Sequence, residues 1–335
     1  MTPTSDPLYG VYRPWVERNG FAHWAMALIW LILAFVLFQV IASIVAVALI
    51  FARTGLELNM DDTMEMMMAN LDLLFVGNTL GQVFFLGLLT WFVSRFHTSS
   101  FERPSFFRFR WRSNTLQITA LTVVLVLVMQ PAVWFLSWLN AMIPAPEFFE
   151  SMQASQMEMI EMFLKGDHII WLTLFHVALV PAVCEEVLFR GYVLRAFQKS
   201  WGAWTAIIVS GILFGMYHMQ LTNLLPLAAI GILLAFLTWI SGSIVPAMVA
   251  HFVNNGSSVL LGSYFPESAL AEITPETMPP LWAVVLSLVI SGYILHYLAS
   301  KGVPEEERTA GTSDADPDTF GNKDQSGTTG EDRYV

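Results

Sequence analysis

From Ser200 to Pro266 the chain runs for 67 residues without one Asp, Glu, Lys or Arg. A soluble fold cannot spare its charges over such a length, because its water-facing surface would then be a continuous apolar patch. Further uncharged runs cover Phe21–Ala52, Leu73–Ser94, Ser113–Pro146, His168–Cys184 and Thr277–Ser300. A helix needs about 20 apolar residues to cross the bilayer core. In hydrocarbon no water satisfies exposed N–H and C=O groups, so a single run must be helical. Charged residues make up 13% of the chain, against about 25% in soluble domains. The fold expected is all-α: a polytopic membrane protein of about eight transmembrane helices, at roughly 22–51, 72–94, 114–139, 168–195, 203–221, 222–240, 243–262 and 281–299.

Orientation follows from Lys and Arg, which stay on the cytoplasmic side of a membrane. Arg13 and Arg18 precede the first run, five arginines lie in Arg95–Arg112, Arg190, Arg195 and Lys199 follow the fourth, and Lys301 and Arg308 follow the last. Eight crossings with both termini cytoplasmic put all four groups on one side. The location expected is a bacterial plasma (inner) membrane, with the lipid bilayer as a partner. The first run is too long for a cleavable signal, so residues 21–51 are read as a retained anchor.

The net charge of −11 is concentrated in two loops and in the tail. Residues 300–335, with Glu305, Glu306 and Glu307, are expected to be a disordered acidic tail, since they cannot bury apolar area. Residues 1–20 form a cytoplasmic segment. No basic stripe interleaved with aromatics supports nucleic-acid binding. Cys184, the one cysteine, is read as a small buried apolar residue. Residues 55–70 hold Met60, Met64, Met66, Met67 and Met68; a soft-metal site is one reading, and an interfacial helix with adaptable methionines is the favoured one. A second amphipathic surface helix is expected over 147–165.

Ionisable side chains inside a membrane segment are functional-site candidates, and three places qualify. In Glu185-Glu186-Val187-Leu188-Phe189-Arg190 the pair Glu186 and Arg190 is spaced i,i+4, with glutamate on the favourable N-terminal side. Glu185 lies about 100° round the helix and is left without that cation, which suits a general base; both carboxylates could instead tie down Arg190. Phe214 and His218 share a helix face at i,i+4, although a lone histidine near a helix end is commonly interfacial. His251 and Asn255 also share a face. They could stabilise an oxyanion or clamp neighbouring helices. Counting about 1.5 Å per residue sets Glu185 and His251 at similar depths, with His218 several ångströms deeper.

These three pieces, Glu185-Glu186-xxx-Arg190, Phe214-xxx-His218 and His251-xxx-Asn255, occur in the order of the EExxxR, FxxxH and HxxxN/D motifs. The chain thereby resembles the CPBP intramembrane proteases, which include type II CAAX prenyl endopeptidases and bacterial Abi proteins. The resemblance covers about residues 165–262, a core of four helices; the three helices within 21–164 and the helix at 281–299 look like variable additions. It implies an intramembrane endopeptidase acting on a membrane-associated protein or peptide, CAAX-protease-like. By it, Glu185 and His218 activate water, His251 and Asn255 stabilise the oxyanion, and Glu186, Arg190 and Phe214 support the site. Cofactors stay open: none is required, or Zn2+ is held by Glu185, His218 and His251 as a three-ligand site, the metal-free route being preferred.

Three other readings remain. A proton- or ion-coupled transporter could use Glu185, His218 and His251 as a relay, and would be expected to show broken helices or inverted repeats; no clear repeat is present. An inactive scaffold of protease-like fold would bind partner helices. A Cys184 nucleophile lacks a base positioned by helical spacing.

Overall fold

The computed structural model describes residues 13–55, 66–67, 69–152, 154–155, 170–265 and 277–303. Each uncharged run is helical: α1 (His23–Thr54), α2 (Leu71–Phe96), α3 (Thr115–Val128), α4 (Gln130–Ala141), α5 (Ile170–Trp201), α6 (Ala203–Tyr217), α7 (Leu224–Ser241), α8 (Val245–Tyr264) and α9 (Leu281–Lys301). No strand occurs among the described residues. The protein is an all-α polytopic membrane protein. Five helices (α1, α2, α5, α7 and α9) are long and apolar enough to cross a membrane, or six if α3 and α4, bent by 47°, make one span. The 15 residues of α6 are shorter than a full crossing, and α8 carries His251, Asn254 and Asn255. Most of the Met-rich stretch 55–70, most of the surface helix expected over 147–165, and the tail beyond Val303 lie outside the described residues.

α1 and α9 leave large apolar side chains outside the bundle, among them Ile29, Ile32, Val36, Val285, Leu288 and Val289. Such faces suit hydrocarbon. Small residues set the closest approach, as is usual where lipid supplies no hydrophobic drive between helices. A Cβ on Gly231 of α7 would lie 2.5 Å from the carbonyl oxygen of Gly211 on α6, so only glycine lets these backbones touch.

Two prolines break the hydrogen-bond ladder where the site is built. Pro131, in the first turn of α4, has no N–H to donate. The chain bends there, and the side chain of Gln130 donates to the Val126 carbonyl at 2.9 Å. α5 is α-helical over Val180–Glu186 and π-helical on either side, at Leu174–Leu179 and Val187–Val193. Pro181 follows the first π segment and has nothing to offer the Val177 carbonyl four residues back. Asn255 of α8 donates its Nδ2 to that carbonyl at 3.2 Å. π segments of this kind are frequent at functional sites.

Two arginines counted above as flanking charges are buried instead. Arg108, in the α2–α3 connection with a left-handed φ of 56°, donates to the Thr238 carbonyl at 3.0 Å and to Gln198 Oε1 at 3.3 Å. Burial holds its guanidinium well below the ordinary arginine range. Arg195 donates to the same Gln198 oxygen at 2.8 Å and to the Phe106 carbonyl at 3.2 Å. Here arginine serves as a packing pin rather than as a solvated flank.

Where α1 begins, four polar side chains form a line. Glu17 Oε1 lies 3.1 Å from His23 Nε2, His23 Nδ1 lies 2.8 Å from His97 Nδ1, and His97 Nε2 lies 2.9 Å from the Tyr192 hydroxyl. His97 is fully buried, and desolvation, with the His23 and Lys199 charges adding, pushes its ring down to about 3.

Candidate active site

The two consecutive carboxylates of α5 turn to different helices. Glu186, wholly buried, accepts from Arg190 Nη1 and from His251 Nδ1, both at 2.9 Å and both on Oε1. Its Oε2 is buried without a hydrogen-bond partner. Arg190 also donates Nη2 to the Gly231 carbonyl at 2.8 Å, and its guanidinium carbon stands 4.4 Å from the centre of the Phe214 ring. A buried ion pair survives desolvation only with good geometry and its remaining donors satisfied. The second donor and the aromatic face serve that need, and the close approach of α6 to α7 is what brings them to Arg190.

Glu185 points towards α6. Its Oε2 is buried, has no hydrogen-bond partner, and stands 3.9 Å from His218 Nε2. His218 Nδ1 donates to the Phe214 carbonyl at 2.8 Å. A carbonyl carries no hydrogen, so the proton sits on Nδ1, and in the neutral ring Nε2 is an acceptor. Two acceptors therefore face each other across a space too wide for a direct bond. His218 caps α6, and the packing of α6 on α5 brings it to Glu185 although a count along each helix sets the two at different depths.

Phe214, almost fully buried, stands at the centre. Its ring lies edge-on to His218 at 4.8 Å, to His251 at 5.6 Å and to Phe189 at 5.1 Å. One ring thus touches both histidines and the Arg190 cation.

His251 and Asn255 do not act as an isolated pair. The Nδ1 of His251 is committed to Glu186, and Asn255 is committed to the opened ladder of α5 at Val177. Asn254 donates to Asn255 Oδ1 at 3.3 Å and accepts from Gln130 at 3.4 Å, so three amides connect the α3–α4 bend to the site. Asn255 retains one N–H of its amide beyond the bond to Val177. Sequence spacing relates residues within one helix, and so it could not reveal Glu186 with His251, the Gly231 carbonyl on Arg190, or the roles of Gln130 and Asn254. Pro181 marks the Val177 carbonyl as one that has lost its i+4 donor, but nothing in the sequence says that Asn255 meets it.

For zinc, the ligand set does not assemble. Among the described residues no group of three His, Cys, Asp or Glu side chains could hold a metal ion. Glu185 and His218 converge, whereas His251 shares its carboxylate with the Arg190 cation. Cys184 is buried.

Residues 167–257 match the family model described as Type II CAAX prenyl endopeptidase Rce1-like. No curated protein and no solved structure matches the chain. The matched stretch holds all the residues just described from Val177 to Asn255, leaving out only Gln130. Over that stretch the match supports the CPBP family, that of the type II CAAX prenyl endopeptidases.

Proposed function

We propose that this protein is an intramembrane endopeptidase that hydrolyses a peptide bond of a membrane-associated, CAAX-type protein or peptide, with Glu185 and His218 activating the water. The observation that carries this reading is the 3.9 Å separation between Glu185 Oε2 and His218 Nε2. A water between two acceptors donates one hydrogen to each, and its lone pair is then left for a carbonyl carbon. As that oxygen attacks, Glu185 takes its proton, and His218 holds the second hydrogen in place. The proton is then available to the leaving amine.

Glu186, itself paired with Arg190, fixes the ring of His251, whose Nε2 faces away from Glu186. His251, with the remaining N–H of Asn255, stabilises the oxygen that gains charge. The reaction is metal-free in this reading, since a carboxylate and an imidazole supply the base. With an even number of crossings both termini are cytoplasmic, an orientation that Arg13, Arg18, Lys199 and Lys301 support as flanking charges.

The relay reading draws on one observation of its own, the 47° bend between α3 and α4, since transporters use broken helices at their sites. One experiment separates the two. Purified wild type in vesicles should cleave an internally quenched peptide ending in a prenylated CAAX sequence, and Glu185→Ala should abolish that cleavage while inserting and folding normally. Equal rates from Glu185→Ala and wild type would end the hydrolase reading.

A further inference from the structure

Tyr217 is the last residue of α6 and the neighbour of His218 in the chain. Its ring packs edge-on against Phe189 at 5.2 Å and against Phe35 of α1 at 4.8 Å. Phe189 lies four residues after Glu185 on α5, and the Glu185 carboxylate is close enough to act electrostatically on the Tyr217 phenol. Yet the Tyr217 hydroxyl is buried and has no hydrogen-bond partner among the described residues. A tyrosine taken out of water normally finds a partner for its O–H, and an orphaned buried polar atom calls for an explanation. Phenylalanine would fill the same space without that penalty.

The orphan is a donor on the residue next to His218, with its ring on Phe189, one turn along α5 from Glu185, whose Oε2 is buried without a partner as well. The two other donors near the site are partly spent, His251 on Glu186 and Asn255 on the Val177 carbonyl. A phenolate next to a carboxylate would set two anions together in a dry site, so the hydroxyl keeps its hydrogen and acts by donating it.

We infer that Tyr217 is a further catalytic residue, its hydroxyl donating a hydrogen bond to the carbonyl oxygen of the scissile peptide bond as that oxygen becomes negative. No bond to Tyr217 forms or breaks. The inference rests on the hydrolytic reading above. It predicts an unusual pair of effects for Tyr217→Phe: the chemistry slows, while the fold is unharmed because the lost oxygen bonded to nothing.

The test uses the full chain in vesicles with the prenylated quenched peptide, comparing wild type, Tyr217→Phe and Glu185→Ala, with thermal unfolding of each in detergent. Tyr217→Phe should lower kcat by about 10²–10³-fold, the loss seen on removing one oxyanion donor, with KM unchanged and Tm equal or higher. Wild-type kcat in Tyr217→Phe, where Glu185→Ala is inactive, overturns the role of Tyr217 and leaves the hydrolase reading standing. A loss carried by KM alone, or a clear fall in Tm, overturns it too, since the hydroxyl would then bind ground-state substrate or hold the fold. Cleavage that does not depend on Glu185 removes both proposals.

Discussion

His251 Nδ1 and Arg190 Nη1 meet on a single oxygen, Glu186 Oε1, each at 2.9 Å. One carboxylate thus joins α5 to α8 and holds its own cation, while the residue before it is left for another purpose. Removing Arg190 would strand a buried anion. Arg190→Met should therefore lower stability by about 3–5 kcal/mol, read by thermal unfolding in detergent. The Glu186→Leu, Arg190→Met double variant should lose much less than the two single losses added together. Additive losses would mean that the pair does not function as one unit.

Asn255 is tied to a carbonyl that Pro181, four residues on, cannot serve as a donor. Pro181→Ala restores an N–H that can compete for Val177. Asn255→Ala should then cost about 1 kcal/mol in the parent chain, a usual value for an interhelical hydrogen bond in a membrane, and clearly less when Pro181 is already alanine. A double-mutant cycle measures that coupling, and a coupling of zero would separate Asn255 from the helix break.

Gly231 offers a test of packing with a built-in control. Gly231→Ala places a Cβ 2.5 Å from the Gly211 carbonyl oxygen, against rigid backbone, whereas a Cβ on Gly292 of α9 meets nothing within 4 Å. The first should lower stability by about 1–3 kcal/mol and cut cleavage, since α6 carries His218. Gly292→Ala should be silent in both assays.

Acid should unfold this protein partly through His97. Its folded ring titrates at about 3, against 6.5 for an ordinary histidine. Between those values the unfolded chain binds more protons, so the neutral ring's contribution is complete above pH 6.5 and is lost as pH falls towards 3. The slope attributable to this one group is roughly 1.4 kcal/mol per pH unit. His97→Gln should flatten the stability profile in that window, and an unchanged slope would assign the acid sensitivity to other groups.

Metal content is directly measurable. Elemental analysis of purified wild type should find zinc well below one equivalent per chain, and chelator should leave the rate of peptide cleavage unchanged. One bound zinc in wild type, lost in His218→Ala, would replace the carboxylate-base mechanism.

Much of this architecture was legible in the order of residues, because hydrocarbon forces one answer on any uncharged run: α1, α2, α7 and α9 fall almost wholly where charge is missing, and so does the first half of α5, up to Cys184. Within a helix the spacing rules also held, as the Glu186–Arg190 bond and the Phe214–His218 contact show. What sequence could not supply was anything between helices. That His251 turns its Nδ1 to Glu186, and that Gln130 reaches Asn254 across 124 residues, depends on which faces oppose each other, and no periodicity encodes that. That Arg108 and Arg195 are buried was also illegible, because a count of positive residues says on which side an arginine lies and not what it touches, and both guanidiniums find carbonyl and amide oxygens inside.

The amide chain from Gln130 through Asn254 to Asn255 carries a last implication. Its bonds are neutral and long, 3.2–3.4 Å, the kind that survives where competing solvent is absent. Hydrolysis, however, demands that solvent enter beside Asn255. Each turnover thus brings beside Asn255 the very molecule able to compete for the bonds that tie the α3–α4 bend to α8.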